Sequence, residues 1–260
     1  MPEFYFVPKR LARKAPALVR MAQSVEAAVF RFIFWVIRKL SLEHAMALSG
    51  FVFSLGGRFS DKASKADANL SVAFPDSTPE WRKKTIRQIF KHLGYSAVEL
   101  IKLEQIWEER EQRIDMVLEP KAREHMESGR ATLFITAHVG PWQVGPMVTK
   151  HYGFTINTIY APESNPVLQE LMLGLRDTLG ENLIATDAGP RPLIKALHSG
   201  ESINVALDTR PDTGKLVPFF GREALTNTSA VGLALKTGAS MVLARGERLP
   251  GARYRVTVYD

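Results

Sequence analysis

The sequence predicts an α/β fold: a mostly parallel central sheet flanked by helices, preceded by an amphipathic, membrane-associated helical region. From residue 131 onward, short apolar runs alternate with segments of helical periodicity, which is the pattern of strands joined by helices. Before residue 60, apolar residues form longer stretches with basic flanks. We therefore predict membrane-associating helices in residues 1–60 and an α/β domain in residues 61–260. An alternating strand ends the sequence at Asp260, so we expect a C-terminally truncated form of a longer protein.

The N-terminal region carries most of the excess positive charge. The formal net charge is +7, and residues 1–39 contain eight basic and two acidic residues. Residues 25–42 are rich in Phe, Ile, Val and Trp, but Arg31 interrupts the run. A spanning helix needs about 20 largely apolar residues, so we predict an interfacial helix on an anionic membrane, either peripheral or as a single-pass anchor. Packing of this helix on the protein's own core is the alternative.

The elements that follow are predicted from periodicity and from start and stop signals. Residues 45–55 are a second apolar stretch that can pair with the first as a helical hairpin. Residues 78–107 are predicted as a helix because Thr78 can cap it and apolar residues recur at helical spacing. Residues 131–137 form a nearly continuous apolar run, typical of a strand covered on both faces. Pro141 permits a helix start, which predicts a helix over 142–151. Further strands are predicted at 155–160, 183–186, 203–207, 217–220, 241–244 and 254–259, and further helices at 166–179, 191–199 and 229–237.

Composition excludes or disfavours several classes of function. The chain has no cysteine, which excludes disulfides and thiolate metal sites. It has no G-x-S-x-G segment, which disfavours the common α/β-hydrolase design. The basic residues flank one apolar segment instead of lining a groove, so no nucleic-acid partner is expected. No metal or other cofactor is predicted.

His138 is the candidate for chemistry among six histidines. It follows the buried-type strand at 131–137 and precedes the Gly140-Pro141 helix start. In α/β sheets, ligands gather at the carboxyl ends of strands. A histidine in that place can accept a proton near neutral pH, and a helix N-terminus beside it favours developing negative charge. A structural turn histidine is the alternative.

Several segments together resemble one protein family. Residues 138–143 read HVGPWQ, which is similar to the H-F-G-N-W-E segment of the bacterial lipid A biosynthesis acyltransferases, within the lysophospholipid acyltransferase superfamily. Further segments match stretches of the same family in the same order along the sequence, from about residue 20 to the end. They are NLSVAFP at 69–75, Asn165-Pro166 with Arg176, DTRP at 208–211, PFFGR at 218–222 and LKTGA at 235–239.

The resemblance implies transfer of a fatty acyl group from acyl carrier protein to a hydroxyl of a lipid A precursor. The expected location is the cytoplasmic face of the inner membrane. His138 would be the general base, with position 143 as its catalytic partner. The resemblance also implies that substrate is bound by Gly140, Trp142, Tyr160, Arg176, Asp208, Arg210, Phe219, Phe220, Gly221 and Arg222. For Trp142 the alternative is packing at the rim of the site, and for Asp208 it is a local contact with Arg210.

Two departures from the family pattern bear on activity. Gln143 stands where the family has a carboxylate; its amide can accept a hydrogen bond but cannot neutralise an imidazolium, which predicts an oriented but weak base. Ala161 follows Tyr160, where the family often has Arg, and Arg176 or Arg191 could replace that cation. A catalytically silent lipid-binding homologue and an acyltransferase for another membrane lipid therefore stay open. A lipid groove is expected where His138, Phe220 and Arg222 meet.

Overall fold

The computed structural model describes residues 16–209 and 214–260. Their helices are α1 (Pro16–Lys39), α2 (Leu42–Gly56), α3 (Asp61–Ala73), α4 (Pro79–Ile101), α5 (Leu103–Glu108), α6 (Arg110–Arg113), α7 (Pro120–Glu127), α8 (Pro146–His151), α9 (Pro166–Arg176), α10 (Arg191–His198) and α11 (Ser229–Thr237). Their strands are β1 (Ile114–Leu118), β2 (Thr132–Thr136), β3 (Ile156–Tyr160), β4 (Asn182–Ala185), β5 (Ser202–Ala206), β6 (Lys215–Phe219), β7 (Arg222–Thr226), β8 (Ser240–Leu249) and β9 (Arg253–Tyr259).

Seven strands form one sheet in the order β1-β9-β8-β2-β5-β3-β4, and β6 and β7 form a separate hairpin. Within the large sheet, β8 and β9 pair antiparallel and the other neighbours pair parallel. The predicted α/β class with a mostly parallel sheet is therefore confirmed. The order places β2 between β8 and β5, and both neighbours contribute to the site described below.

The predicted elements differ from the observed ones at a few boundaries. The helix predicted over 142–151 begins only at Pro146, because the residues before it form successive turns, with the Val144 N–H donating to the Pro141 carbonyl at 2.9 Å and the Met147 N–H to the Val144 carbonyl at 3.0 Å. The helix predicted over 78–107 is divided at Lys102, whose φ of −110° and ψ of 22° leave the helical region. Thr78 caps α4 as predicted, with its hydroxyl accepting from the N–H of Trp81 at 3.2 Å. Strands β1 and β7 and helices α3, α6 and α7 were not predicted.

The two faces of the sheet are covered unequally. Adjacent residues of β2 point to opposite faces, so Phe134 packs into the larger apolar core and Leu133 into the smaller one. The larger core contains residues of α1, α2, α4, α5 and α9. The smaller core holds four buried residues, contributed by β2, β5 and α10, with partly buried residues of α11 packed against them. The thinner layer is the one that leaves space for a cavity.

The N-terminal helices are part of the larger core. Phe34 and Ile37 of α1 are buried in the same cluster as Val98 of α4. Asn165 caps α9, and its side-chain amide also donates to the Gln23 carbonyl and to a Glu26 carboxylate oxygen, both at 2.9 Å. One face of α1 therefore packs on the protein's own core, and the domain boundary at residue 60 stays a prediction.

The opposite face of α1 is apolar and exposed. Five large apolar side chains along it are each more than half exposed: Met21, Val25, Val29, Phe32 and Trp35. The rings of Phe32 and Trp35 stack at a centroid distance of 6.0 Å. Within residues 16–209 and 214–260, no helix has both the length and the apolarity required to cross a bilayer.

Helices α2 and α4 pack closely because glycine lies at their contact. A Cβ on Gly94 would be 2.7 Å from the Ser49 backbone oxygen, well inside contact distance. The Ser49 hydroxyl donates to the Gly94 carbonyl at 2.9 Å. This contact fixes the part of α4 that carries Glu99, a buried acid close to the site.

Candidate active site

His138 and Asp208 are brought together by the register of two neighbouring strands. In the parallel pair of β2 and β5, Thr136 is opposite Ala206. His138 comes two residues after Thr136, and Asp208 comes two residues after Ala206. Because parallel strands end at the same edge of a sheet, the two side chains meet there although 70 residues separate them in sequence.

Asp208 holds His138 at two points. One carboxylate oxygen lies 2.8 Å from the imidazole Nδ1 of His138, and the other accepts the His138 backbone N–H at 2.8 Å. An ionised carboxylate can only accept hydrogen bonds, so Nδ1 carries the hydrogen, and in the neutral ring Nε2 keeps a free lone pair. The His138 and Asp208 side chains are 45% and 37% exposed, which leaves them open to a substrate. An ion pair this exposed contributes little to stability; its effect is to orient the ring.

Trp142 and Gly140 shape the loop around the histidine. The Trp142 ring meets the His138 ring edge-on at 5.5 Å between centroids. Gly140 has a φ of 65°, a conformation that glycine adopts without strain. A Cβ on Gly140 would also be 2.3 Å from the Gly246 carbonyl oxygen on β8. The loop therefore lies directly against the β8 backbone, at a position where only glycine fits.

Gln143 is not the group that orients the histidine. No hydrogen bond joins Gln143 to His138 in the part of the chain that the structure describes, and Asp208 occupies the Nδ1 side of the ring. The carboxylate that contacts the His138 ring is that of Asp208, from the next strand. A catalytic role for Gln143 stays a prediction.

A cavity of about 860 Å³ opens beside His138. It lies at the carboxyl ends of β3, β4 and β5, beneath α10 and α11, on the thinly covered face of the sheet. Its volume is in the range of sites that bind organic ligands. Aliphatic side chains form most of the wall, and a smaller number of polar side chains complete it. The described lining residues are His138, Ile159, Ala161, Ile184, Ala185, Thr186, Gly189, Pro190, Leu193, Ile194, Val205, Ala206, Thr209, Asn227, Ser229, Gly232, Leu233 and Lys236.

Lys236 is the one lysine or arginine among these described lining residues. Ala161, where the family often has Arg, lines the same cavity. Neither of the cations expected to replace that Arg lines it. Arg176 lies at the far end of α9, near Glu181 and the amino-terminal edge of the sheet. Arg191 begins α10 on the exposed surface.

The other predicted substrate-binding residues are placed apart from this cavity. Tyr160 ends β3 between two residues that line it, and alternation directs its side chain elsewhere. The segment from Phe219 to Arg222 forms the tip of the β6–β7 hairpin. Phe220 and Gly221 both have positive φ, as a two-residue hairpin turn requires. Arg210 lies outside the described residues, so its predicted role is not tested.

The hairpin tip exposes both aromatic rings. Phe219 and Phe220 are 63% and 56% exposed and meet edge-on at 4.7 Å between centroids. None of the described residues of the tip lines the cavity beside His138. The expected groove in which Phe220 and Arg222 meet His138 is therefore not the cavity that the structure shows, and their part in binding substrate stays a prediction.

Sequence comparison gives one family for this chain. The model for the family described as bacterial lipid A biosynthesis acyltransferase matches residues 14–259, which is nearly the whole sequence. A search of curated proteins found no significant match.

The cavity can be filled without disturbing the helix that covers it. Gly232 lies within α11, lines the cavity, and has open space where a Cβ would be. Gly232→Leu should keep or raise stability, because leucine favours a helix over glycine by roughly 0.8 kcal/mol. With a fatty acid in the cavity, the added leucine would overpack the site, which costs about 1–3 kcal/mol. The Kd of a fluorescent long-chain fatty acid, measured by titration, should therefore rise about 5- to 150-fold.

Gly174→Leu is the matched control for this test. Gly174 also lies within a helix, α9, with open space at its Cβ, and it does not line the cavity. Equal binding of the fatty acid by Gly232→Leu and Gly174→Leu would show that the cavity does not hold the acyl chain of the fatty acid.

Proposed function

The chain belongs to the bacterial lipid A biosynthesis acyltransferase family, and we propose that it moves a fatty acyl group from acyl carrier protein to a hydroxyl of a lipid A precursor with His138 as the general base. The family makes it an acyltransferase that acts on lipid substrates. The donor, the base and the acceptor hydroxyl belong to the proposal. The observation that carries it is the two-point contact of Asp208 with His138.

The reaction follows from the tautomer that Asp208 imposes. Nε2 of His138 accepts the proton of the acceptor hydroxyl as its oxygen attacks the thioester carbonyl carbon. Asp208 stabilises the resulting imidazolium with its negative charge, which an amide could not supply. The carbon–sulfur bond then breaks, and the imidazolium returns the proton to the departing thiolate. The histidine ends in the form in which it began, and no covalent enzyme intermediate is needed.

The cavity beside His138 suits the substrates of such a reaction. Its aliphatic wall can accept a fatty acyl chain, because burying each CH₂ group contributes about 0.8 kcal/mol. Its polar lining residues include His138, Asn227 and Lys236. The Lys236 ammonium offers one fixed positive charge for a phosphate on either the acceptor or the carrier arm. An acyl chain in the cavity would leave its reactive end beside the imidazole.

The competing function is a lipid-binding protein without catalysis. Ala161 favours it, because the cavity there has lost a cation that the family often carries. Gln143 favours it less than the sequence alone indicated, since Asp208 supplies a carboxylate to the histidine. Transfer to a different membrane lipid is a further alternative, and the choice of acceptor in the assay decides between them.

We also propose that the protein works at the cytoplasmic face of the inner membrane, attached through the exposed face of α1. The apolar side chains from Met21 to Trp35 form a stripe that is exposed among the described residues. Arg31, Arg38 and Lys39 line a concavity beside Trp35. Apolar groups with cations beside them favour the surface of an anionic bilayer.

Catalysis should depend on Asp208 much more than on Gln143. Asp208→Asn keeps the size of the side chain but removes the charge that stabilises the imidazolium. We expect kcat to fall by about 10²- to 10⁴-fold, the range of general-base assistance. His138→Ala should abolish transfer, whereas Gln143→Glu should change kcat far less than Asp208→Asn does. The assay is radiolabelled acyl transfer from acyl carrier protein to a lipid A precursor in detergent micelles.

Two results would contradict this mechanism. One is full activity in Asp208→Asn together with a large gain in Gln143→Glu, which would assign the charge partner to position 143. The other is the absence of transfer to every hydroxyl-bearing lipid despite tight binding of fatty acid, which would support the lipid-binding protein without catalysis.

Membrane attachment should depend on the exposed aromatic pair of α1. The double variant Phe32→Ser/Trp35→Ser should reduce partitioning onto vesicles containing phosphatidylglycerol by roughly tenfold or more, since burying a large apolar side chain contributes about 1.5–3 kcal/mol. Added salt should weaken binding further by screening the cations. Co-sedimentation measures both effects. Leu235→Ser, at an 84% exposed leucine on α11, is the control. Unchanged binding of the double variant would refute attachment through this face.

A further inference from the structure

A buried ion pair lies behind the loop that carries His138. Glu99 of α4 is fully buried, and the Arg248 side chain of β8 is 9% exposed. The guanidinium spans the carboxylate, with Nε donating to one oxygen at 2.6 Å and Nη2 to the other at 2.8 Å. Burial raises the pKa of Glu99, and Arg248 opposes that shift by stabilising the charged form.

Stability alone does not account for this pair. Removing two charges from water has a large desolvation cost. Well-packed apolar residues can therefore often replace a buried ion pair with no loss of stability. An arginine differs from an apolar residue in its remaining donors, which can reach further acceptors in fixed directions. The partners of those donors therefore indicate what the pair is for.

One of those partners is the loop after His138. Arg248 Nη2, whose two hydrogens are shared between Glu99 and two further acceptors, also donates to the Gly140 carbonyl oxygen at 3.0 Å and to the Ser96 hydroxyl at 2.6 Å. Nη1 lies 3.2 Å from Nδ1 of His92. Burial lowers the pKa of His92 and the Arg248 charge lowers it further, which favours the neutral ring that can accept this bond. The guanidinium is thus held on several sides and has a single orientation toward Gly140.

Glycines bring the loop close enough to be held in this way. A Cβ on Gly140 would be 2.3 Å from the Gly246 oxygen, and a Cβ on Gly246 would be 2.9 Å from the Pro141 ring. The turn therefore rests on β8 two residues before Arg248. The sheet order places β2 between β5 and β8. Asp208, beyond β5, fixes His138 itself, and Arg248, from β8, fixes the backbone two residues later.

We infer that Arg248 is a positioning residue for the acyl transfer reaction, with Glu99 setting its orientation and the Gly140 carbonyl as the group it holds. The inference rests on the proposed role of His138 as the base. With Arg248 in place, the turn from His138 to Trp142 keeps one conformation, and Nε2 stays directed at the acceptor hydroxyl. Without it, the imidazole remains bonded to Asp208 but the loop beneath it is free to shift.

The test separates positioning from stability by removing the pair as a unit. Arg248→Met alone leaves the Glu99 carboxylate buried without a cation, with the Tyr254 hydroxyl still beside it, and should destabilise the fold. Glu99→Met/Arg248→Met removes both charges and should recover most of the lost thermal stability. If Arg248 positions the loop, kcat of the double variant should stay about 10- to 100-fold below wild type with KM little changed, since small misplacements of reacting groups have effects of that size.

Two further variants sharpen the comparison. Arg248→Lys keeps a positive charge beside Glu99, but a single ammonium cannot reproduce the forked contact with Glu99 and reach the Gly140 carbonyl at the same time; stability should largely persist while kcat stays low. Arg245→Met removes another arginine of β8, which pairs with Glu247 at 3.0 Å on the exposed surface, and it should leave kcat unchanged.

Hydrogen exchange supplies a measurement that does not need acyl transfer. Backbone amides from residue 138 to residue 145 should exchange faster in the double variant than in wild type or Arg245→Met. Wild-type kcat and wild-type exchange in the double variant would overturn the inference. If wild type itself transfers no acyl group, the proposed function fails, and the exchange result still decides whether Arg248 holds the loop.

Discussion

The contact between the Asp208 carboxylate and His138 is the interaction on which the rest of the site depends. It fixes the ring, selects its tautomer and places a negative charge where an imidazolium would form. This contact exists because β2 and β5 are parallel neighbours whose registers bring residues 138 and 208 level. The same sheet order puts β8 on the other side of β2, so the loop after β2 is held from both directions. The contacts that position His138 and the loop after it are thus a consequence of strand order.

The unequal covering of the sheet explains where a lipid can go. The face toward α1, α2 and α4 is filled by a large apolar core, whereas the face under α10 and α11 has a small one. Space that would otherwise be packed remains open beside His138 as the apolar cavity. Helix α1 belongs to the layer on this larger core. One of its faces packs into the core, and the opposite face is exposed. That division lets α1 pack on the protein's own core and still present the face through which we propose membrane attachment.

Local signals in the sequence were sufficient for the fold class, and short apolar runs gave most strands. The position of His138 between a buried strand and a Gly-Pro turn made it the candidate for chemistry, which stays a prediction. The partner of His138 could not be found in this way, because sequence spacing favours position 143 and does not show that β5 lies beside β2. Asp208 was recognised as a candidate but assigned to substrate. Glu99 and Arg248 were missed; the one available signal was an acid within the apolar run 98–101 of a helix.

The most direct test of the account is the tautomer of His138, read from the ¹⁵N chemical shifts of its two ring nitrogens at a pH where the ring is neutral. His138→Gln assigns the signals among the six histidines. If Asp208 orients the ring, the hydrogen will be on Nδ1 and Nε2 will be unprotonated, and Asp208→Ala will release that preference. A hydrogen on Nε2 in wild type, or a tautomer that Asp208→Ala leaves unchanged, would contradict the central claim.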